Sequence, residues 1–329
     1  MKFLGTDIAP LGMGCWPIGG PFYRGAQPLG YANAEDSESI RTIHAALDAG
    51  IQLFDTAAVY GAGHAERLMG EALADHPDAI IITKIGLAFD EQSKQLTGED
   101  LDPTHVRPAI ERCLKRLRRD RIDVLLLHVN ELTLDVATPL FDAMESARQD
   151  GLIRSYGWST DFPKSVEALA DRPGFTAVEH AMNVFLDVPT IQGVIEQHDL
   201  AAIIRSPLGM GVLTGKFDSS TKMQADDIRS TDQAWKTFFQ DGKINPEYLA
   251  RVDAIRELLQ TGGRTVPQGA LCWLWAKSGQ NVPVPGARTV AQITDNASAL
   301  DHGPLPASIM AEIETLITRS PDEDAARAK

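Results

Sequence analysis

Leu53-Phe54-Asp55-Thr56-Ala57-Ala58-Val59-Tyr60-Gly61 is the stretch around which the chain is organised. An apolar run from Ile51 to Phe54 ends in a carboxylate, and a phenol follows five residues later. Two later segments repeat the design. Ile80-Ile81-Ile82-Thr83-Lys84 ends an apolar run in an amine, and Val124-Leu125-Leu126-Leu127-His128 ends one in an imidazole. Short continuous apolar runs of this kind are the pattern of parallel strands covered on both faces.

Outward from these three strands the alternation spans the chain. Strands are predicted at 11–16, 51–55, 80–84, 123–128, 153–159, 176–182, 201–206 and 282–285. Helical spacing separates them at 36–49, 65–75, 104–118, 136–149, 163–170, 188–198 and 266–277, with closing helices at 289–299 and 306–318. Strands alternating with helices call for βα units, and eight of them give a closed α/β barrel of the (β/α)₈ (TIM) type. Nothing in the composition marks a linker, so residues 1–329 read as one domain. The polar stretch at about 207–245, with Trp235, Phe238 and Phe239, breaks the spacing and reads as a long loop over the C-terminal face of the barrel.

Composition narrows the function. Apolar residues at 43% and charged residues at 23% are those of a globular protein. A net charge of −14 argues against a nucleic-acid surface, which needs clustered Lys and Arg. No run approaches the roughly 18 apolar residues of a membrane span. The first residues carry Asp7 and do not resemble a signal peptide. Cys15, Cys113 and Cys272 make neither a metal-ligand spacing nor a disulfide framework, so a reducing, cytoplasmic setting is expected, and no metal site is read.

In an α/β barrel, chemistry sits at the carboxyl ends of the strands. Asp55, Lys84, His128, Ser159 and Arg205 all fall there, with Tyr60 in the loop after one of them. A phenol is too weak an acid at its reference pKa of about 10 to donate protons well near neutrality. A neighbouring ammonium lowers that value, and a carboxylate holds the ammonium in place. Tyr60 is then the acid, Lys84 its modulator, Asp55 the partner of Lys84, and His128 a hydrogen-bond donor to the same oxygen. From spacing alone a second reading stays open, in which Asp55–Lys84 is a structural ion pair and Tyr60 a rim aromatic.

The run Asp55 to Gly61, followed by Glu66 and Gly70-Glu71-Ala72-Leu73, resembles the signature of the aldo-keto reductases. The resemblance continues through Ile82-Thr83-Lys84, Asp123 to His128, Gly157-Trp158-Ser159, Ser206 to Lys216, Val284-Pro285-Gly286-Ala287-Arg288 and Asn296. It implies hydride transfer between a nicotinamide cofactor, NADP(H), and a small-molecule aldehyde or ketone, with Asp55, Tyr60, Lys84 and His128 catalytic. It further implies that Ser159 and Thr160, with Glu179, hold the nicotinamide carboxamide and that Arg205 stacks on the ring. Ser206, Leu208, Gly211 and Lys216 would wrap the pyrophosphate, and Gly286, Arg288, Gln292 and Asn296 would take the adenosine end. Arg288 is the candidate for a 2′-phosphate, because a guanidinium binds phosphate oxygens bidentately.

The chain departs from the family's common pattern at Thr160, where Asn is frequent, at Glu179, where Gln is frequent, and at Arg205, where an aromatic is frequent. An alternative for the last two is that Glu179 and Arg205 pair with each other. Gly12-x-Gly14 lacks the third glycine of a dinucleotide fingerprint, and Gly209 to Lys216 misses the phosphate-loop spacing. Trp16, Phe22 and Trp235 lie in loops expected to rim a substrate pocket. His44, His64, His105, His180 and His198 form no ligand set, though His64 lies near Tyr60, and Trp273 and Trp275 read as packing residues. Two other functions compete with the reductase: a cofactor-binding regulatory subunit of the same fold with negligible turnover, and a phosphate-binding isomerase barrel.

Overall fold

The structure is a computed structural model that describes residues 1–231, 233 and 236–319. Its eight-stranded sheet comprises β1 (Gly12–Gly14), β2 (Leu53–Asp55), β3 (Ile80–Ile85), β4 (Ile122–Leu127), β5 (Ile153–Ser159), β6 (Phe175–Ala181), β7 (Ala201–Arg205) and β8 (Asn281–Pro283). Spatial order follows chain order, and every pairing is parallel. The Gly14 N–H donates to the Pro285 carbonyl at 3.0 Å, which joins β1 to the residues after β8 and closes the barrel. The (β/α)₈ expectation is what forms.

Two apolar layers explain why. Leu53, Ile80, Ile82, Val124, Leu126, Ala177, Ile203, Val282 and Val284 fill the barrel interior. Phe3 and Ile8 join them from an N-terminal hairpin, Lys2–Phe3 with Thr6–Asp7. Their strand neighbours Phe54, Ile81, Leu125, Leu127, Val178, Ala202 and Ile204 point outward, where they are buried against the helices. Both faces of each strand are apolar, so the alternation of a half-exposed strand never appears in the sequence.

The connecting helices are α1 (Asp36–Asp48), α2 (His64–Ala72), α3 (Val106–Leu117), α4 (Leu134–Gln149), α5 (Pro163–Glu167), α6 (Pro189–Gln197), α7 (Pro246–Leu259), α8 (Val266–Lys277), α9 (Val290–Ala297) and α10 (Ala307–Leu316). α7 is the element the sequence reading passes over. Its signal is present: Asn245 caps the first turn, Pro246 opens it, and Tyr248, Val252, Ile255 and Leu259 form the buried stripe. Cys113 lies in the core on the buried face of α3, and all three cysteines are free and buried. No described helix is long and apolar enough to cross a membrane.

Three loops gather around the carboxyl ends of the strands. Hairpin strands Tyr23–Arg24 and Gln27–Pro28 join Leu87–Asp90 and Gln95–Glu99 in a four-stranded sheet. The loop after β7 docks on the loop after β1: the Ile228 N–H donates to Gly30 at 2.8 Å, and Arg229 lies over Tyr31. Behind the mouth, Glu66 of α2 accepts from Arg116 of α3 and from Thr83 of β3, each at 2.6 Å. Glu66 is 0% exposed. Truncating Arg116 would strand the Glu66 charge in the core, whereas Arg116 keeps a second partner in Glu91 at 3.1 Å.

Gly157 sits where the register between β5 and β6 shifts, and a Cβ there would overlap the Ala177 carbonyl oxygen. Because the obstruction is backbone, Gly157→Ala is expected to destabilise the fold by roughly 1–3 kcal/mol. Denaturant unfolding checks this; an unchanged midpoint would contradict the close approach.

Candidate active site

The inner face of the barrel carries its own gradient. Leu53 is followed two residues on by Asp55, Ile82 by Lys84, Leu126 by His128, Ala177 by Glu179, and Ile203 by Arg205. With a side-chain period of two, each apolar filler hands over to a polar group at the same end of the barrel. Five polar side chains on five strands therefore converge by geometry alone.

Lys84 is the hub. Its Nζ donates to Asp55 Oδ1 at 2.6 Å and to the Thr56 carbonyl at 2.9 Å, and Glu179 Oε2 lies 3.0 Å away. The Lys84 side chain is 0% exposed. Burial disfavours its ammonium, but Asp55 and then Glu179 more than compensate and raise its pKa above the ordinary lysine value. The two carboxylates diverge. Burial and the Glu179 charge push Asp55 well above the usual carboxylate range. Burial also pushes on Glu179, yet Lys84 outweighs it and holds this carboxyl low.

Tyr60 is delivered by a tight turn. The Ala58 N–H donates to the Lys84 carbonyl at 3.1 Å, and the Tyr60 N–H to Ala57 at 3.1 Å. Gly61 follows at φ +60°, so close to Gly19 that a Cβ would overlap the Gly19 carbonyl. The Lys84 ammonium sits 5.3 Å from the centre of the Tyr60 ring. Trp16 stacks on the ring with centroids 5.9 Å apart, and His128 meets it edge-on at 5.9 Å. The expected acidification of the phenol is only one side of the balance. Burial drives its pKa up, Lys84 draws it down, and Asp55 and Glu179 add to the rise, so the net shift is upward.

Around this hub the departures from the common pattern resolve. Ser159 Oγ donates to Glu179 Oε1 at 3.0 Å. Thr160 is 0% exposed, and its hydroxyl donates to the Asn130 carbonyl at 2.6 Å and accepts from the Phe162 N–H. Its hydroxyl is thus committed to the loop. The notion that Glu179 and Arg205 pair is corrected. Arg205 instead donates to Asp161 Oδ2 at 2.5 Å, while Asp161 Oδ1 accepts from the Ala181 N–H at 2.9 Å. Asp161 is the residue missed, and its place two residues after Ser159 was the available signal.

Farther along the rim, Ser206 and Met210 adopt the left-handed conformation at φ +56° and +55°. Non-glycine residues held there mark a backbone fixed by its surroundings. The turn is closed by the Gly209 N–H on Ser206 and the Gly211 N–H on Leu208, each at 2.9 Å. Arg229 reaches to within 3.8 Å of where a Gly211 Cβ would stand, while Asp227 holds it in a fork of two 2.8 Å hydrogen bonds. Partial desolvation, then Arg229 and Arg288, lower the Lys216 pKa. Burial and then Arg229 lower that of Arg288. Three cations thus repel one another along one rim, a surface that suits an anion. Arg229 was not singled out from sequence, because only the folded loop brings it there.

Arg288 Nη1 donates to the Ala32 carbonyl at 2.7 Å, and its N–H to Gln292 Oε1 at 2.9 Å. Gln292 thereby braces the Arg288 backbone. Asn296 is buried on α9, and Gly286 is exposed beside β1. Of the pocket candidates, Trp16 flanks Tyr60. Phe22 instead packs with Ala57, Val59 and Ala62 in a satellite core, 4% exposed, and Trp235 lies outside the described residues. His64 pairs with Asp36 at 2.8 Å, and Trp273 and Trp275 are buried in α8.

Burial, helped by Lys84, drives the His128 pKa down to about 3. Its imidazole is expected to stay neutral at every pH above about 5, far below the ordinary 6.5. Side-chain NMR titration checks this, and a ring that protonates near 6.5 would contradict the geometry.

This arrangement has relatives. The family model described as the aldo/keto reductase family matches residues 10–318. The aldo-keto reductase YhdN of Bacillus subtilis is 28% identical over 301 residues, covering 88% of this chain and 84% of that protein. The structure of a glycerol dehydrogenase from Gluconobacter oxydans superposes with a TM-score of 0.79 at 28% identity, over 96% of this chain and 94% of that one. An aldo-keto reductase from Klebsiella pneumoniae, solved in complex with NADPH, shares the fold at a TM-score of 0.67 and 21% identity, over 96% and 94% of the two chains. With a match running from the first barrel strand to the last helix, the chain belongs to the aldo/keto reductase family.

Proposed function

We propose that this chain is an NADP(H)-dependent oxidoreductase that interconverts a small aldehyde or ketone and its alcohol, with Tyr60 as the proton donor. One observation carries the reading: a tyrosine ring at the barrel mouth whose centre lies 5.3 Å from a buried ammonium that two carboxylates hold in place. That ammonium stays charged, so it is a fixed electrostatic partner for a phenolate.

The residues fit the cofactor. Lys216, Arg229 and Arg288 supply positive charge for its phosphates beside the 206–211 turn. Ser159 stands at the mouth with its hydroxyl on Glu179 Oε1, and Glu179 Oε2 is a buried acceptor that lies 3.0 Å from the Lys84 ammonium without being aligned for a hydrogen bond to it. Such an atom suits the NH₂ of a carboxamide. When bound, the cofactor supplies the hydride.

The chain's own work is then binding, orientation and one proton. His128, held neutral, donates a hydrogen bond to the substrate oxygen without competing as an acid. Tyr60 gives its proton to the alkoxide as charge develops there. The phenol is protonated at neutral pH, and Lys84, which draws its pKa down against burial, stabilises the phenolate left behind. Trp16, stacked on Tyr60, forms an apolar wall that limits water.

Tyr60→Phe is expected to lose roughly 10²–10⁴-fold in carbonyl reduction while binding NADPH as the parent does. Steady-state turnover on an aldehyde panel and nucleotide titration together check it; full activity in the variant would remove Tyr60 from the donor role. Nucleotide binding with no turnover on any carbonyl would instead favour the regulatory-subunit reading. Arg288→Ala is expected to weaken NADPH by on the order of tenfold, the value of one charge-assisted hydrogen bond, and NADH much less. Equal losses for both nucleotides would show that Arg288 does not read the 2′-phosphate.

A further inference from the structure

Glu179 is the group whose negative charge the proton transfer above does not require. One carboxylate, Asp55, already fixes Lys84 at 2.6 Å. Glu179 is 1% exposed, puts Oε1 on the Ser159 hydroxyl, and faces Lys84 with an Oε2 that lacks hydrogen-bond alignment. A second buried carboxylate is costly unless something offsets it. The neighbouring charges, Lys84 first, offset it at Glu179 but not at Asp55. Arg205 is committed to Asp161, His128 is neutral, Tyr60 is a phenol, and Lys84 is one ammonium between two carboxyl groups. With both carboxylates ionised, the cluster holds one negative charge in excess.

A nicotinamide ring carries a positive charge when oxidised and none when reduced. We infer that Glu179 sets the redox preference of the cofactor cradle, its buried carboxylate beside Ser159 favouring the oxidised nicotinamide over the reduced one. This rests on the proposal that the mouth holds NADP(H). Glu179 acts here as a charge-setting residue, not as a donor or acceptor in the proton transfer. The same charge balance adds a proton linkage. In the empty site the two carboxyl groups compete for Lys84, and Asp55 is the one pushed toward its protonated form. Binding of a cationic ring offsets the excess charge and releases that proton, whereas the neutral ring has no such effect.

The test compares dissociation constants for NADP⁺ and NADPH, by calorimetry and fluorescence, in the parent protein, in Glu179→Gln and in Glu179→Asp. The parent is expected to hold NADP⁺ more tightly than NADPH. Glu179→Gln keeps the shape and removes the charge, and should shift the ratio toward NADPH by on the order of tenfold. Glu179→Asp keeps the charge and should keep the preference. In the parent, the NADP⁺ affinity should rise with pH relative to that of NADPH, and the slope should vanish in Glu179→Gln. Equal ratios in the parent and Glu179→Gln would overturn the inference while leaving the proposed function intact. Should the Gln variant fail to fold, a parent that prefers NADPH overturns it as well. Failure of the parent to bind either nucleotide would overturn the proposed function, and this inference with it.

Discussion

Everything at the mouth depends on one buried ammonium. Lys84 lies wholly out of solvent, and an unpaired charge there would lose its proton or unfold the strand that carries it. Asp55 from the adjacent β2 and Glu179 from β6, across the mouth, prevent both, and the Thr56 carbonyl takes a further hydrogen. Since the Ala58 N–H is bonded to the carbonyl of the same lysine, the turn bearing Tyr60 is fixed to the strand whose side chain tunes it. Position and electrostatics therefore share an origin in β3.

The barrel was legible because both of its apolar layers are written as continuous runs. Ile80-Ile81-Ile82 serves the interior and the helix-facing surface in turn, and no other common architecture needs eight such runs separated by helices. The site was legible for the same reason. A polar residue two positions beyond an inward-facing Leu, Ile or Ala must point into the mouth, and Asp55, Lys84, His128, Glu179 and Arg205 all obey this. Spacing alone could not rank ion pair against catalyst; the Tyr60 turn, held to β3 and flanked by Trp16, is what favours the second.

What the sequence hid is long-range pairing. Nothing local says that Arg205 chooses Asp161 over Glu179, since the choice depends on how β5, β6 and β7 stagger. Arg229 lies outside the predicted strands and helices, and only the docking of its loop on Gly30 and Tyr31 brings it beside Gly211. Phe22 was expected at the rim because aromatics in loops often are, but the sheet formed with residues 87–99 gives it a small core to enter. The helix 246–259 differs from these. Its cap and stripe were readable, and the polar loop before it drew attention away.

Charge, finally, separates this mouth from one built on a single carboxylate–lysine pair. Such a pair is neutral and leaves the phenol subject mainly to burial and to the ammonium. Here the second carboxylate raises the phenol further and draws the lysine more firmly into its charged form. The acid is thus harder to ionise, and the surroundings are more receptive to positive charge. Under the proposed function those two effects fall on different partners, the substrate oxygen and the nucleotide ring, while Glu179 itself contacts Lys84 on one side and Ser159 on the other. A residue so placed would couple proton transfer to cofactor charge without taking part in either step.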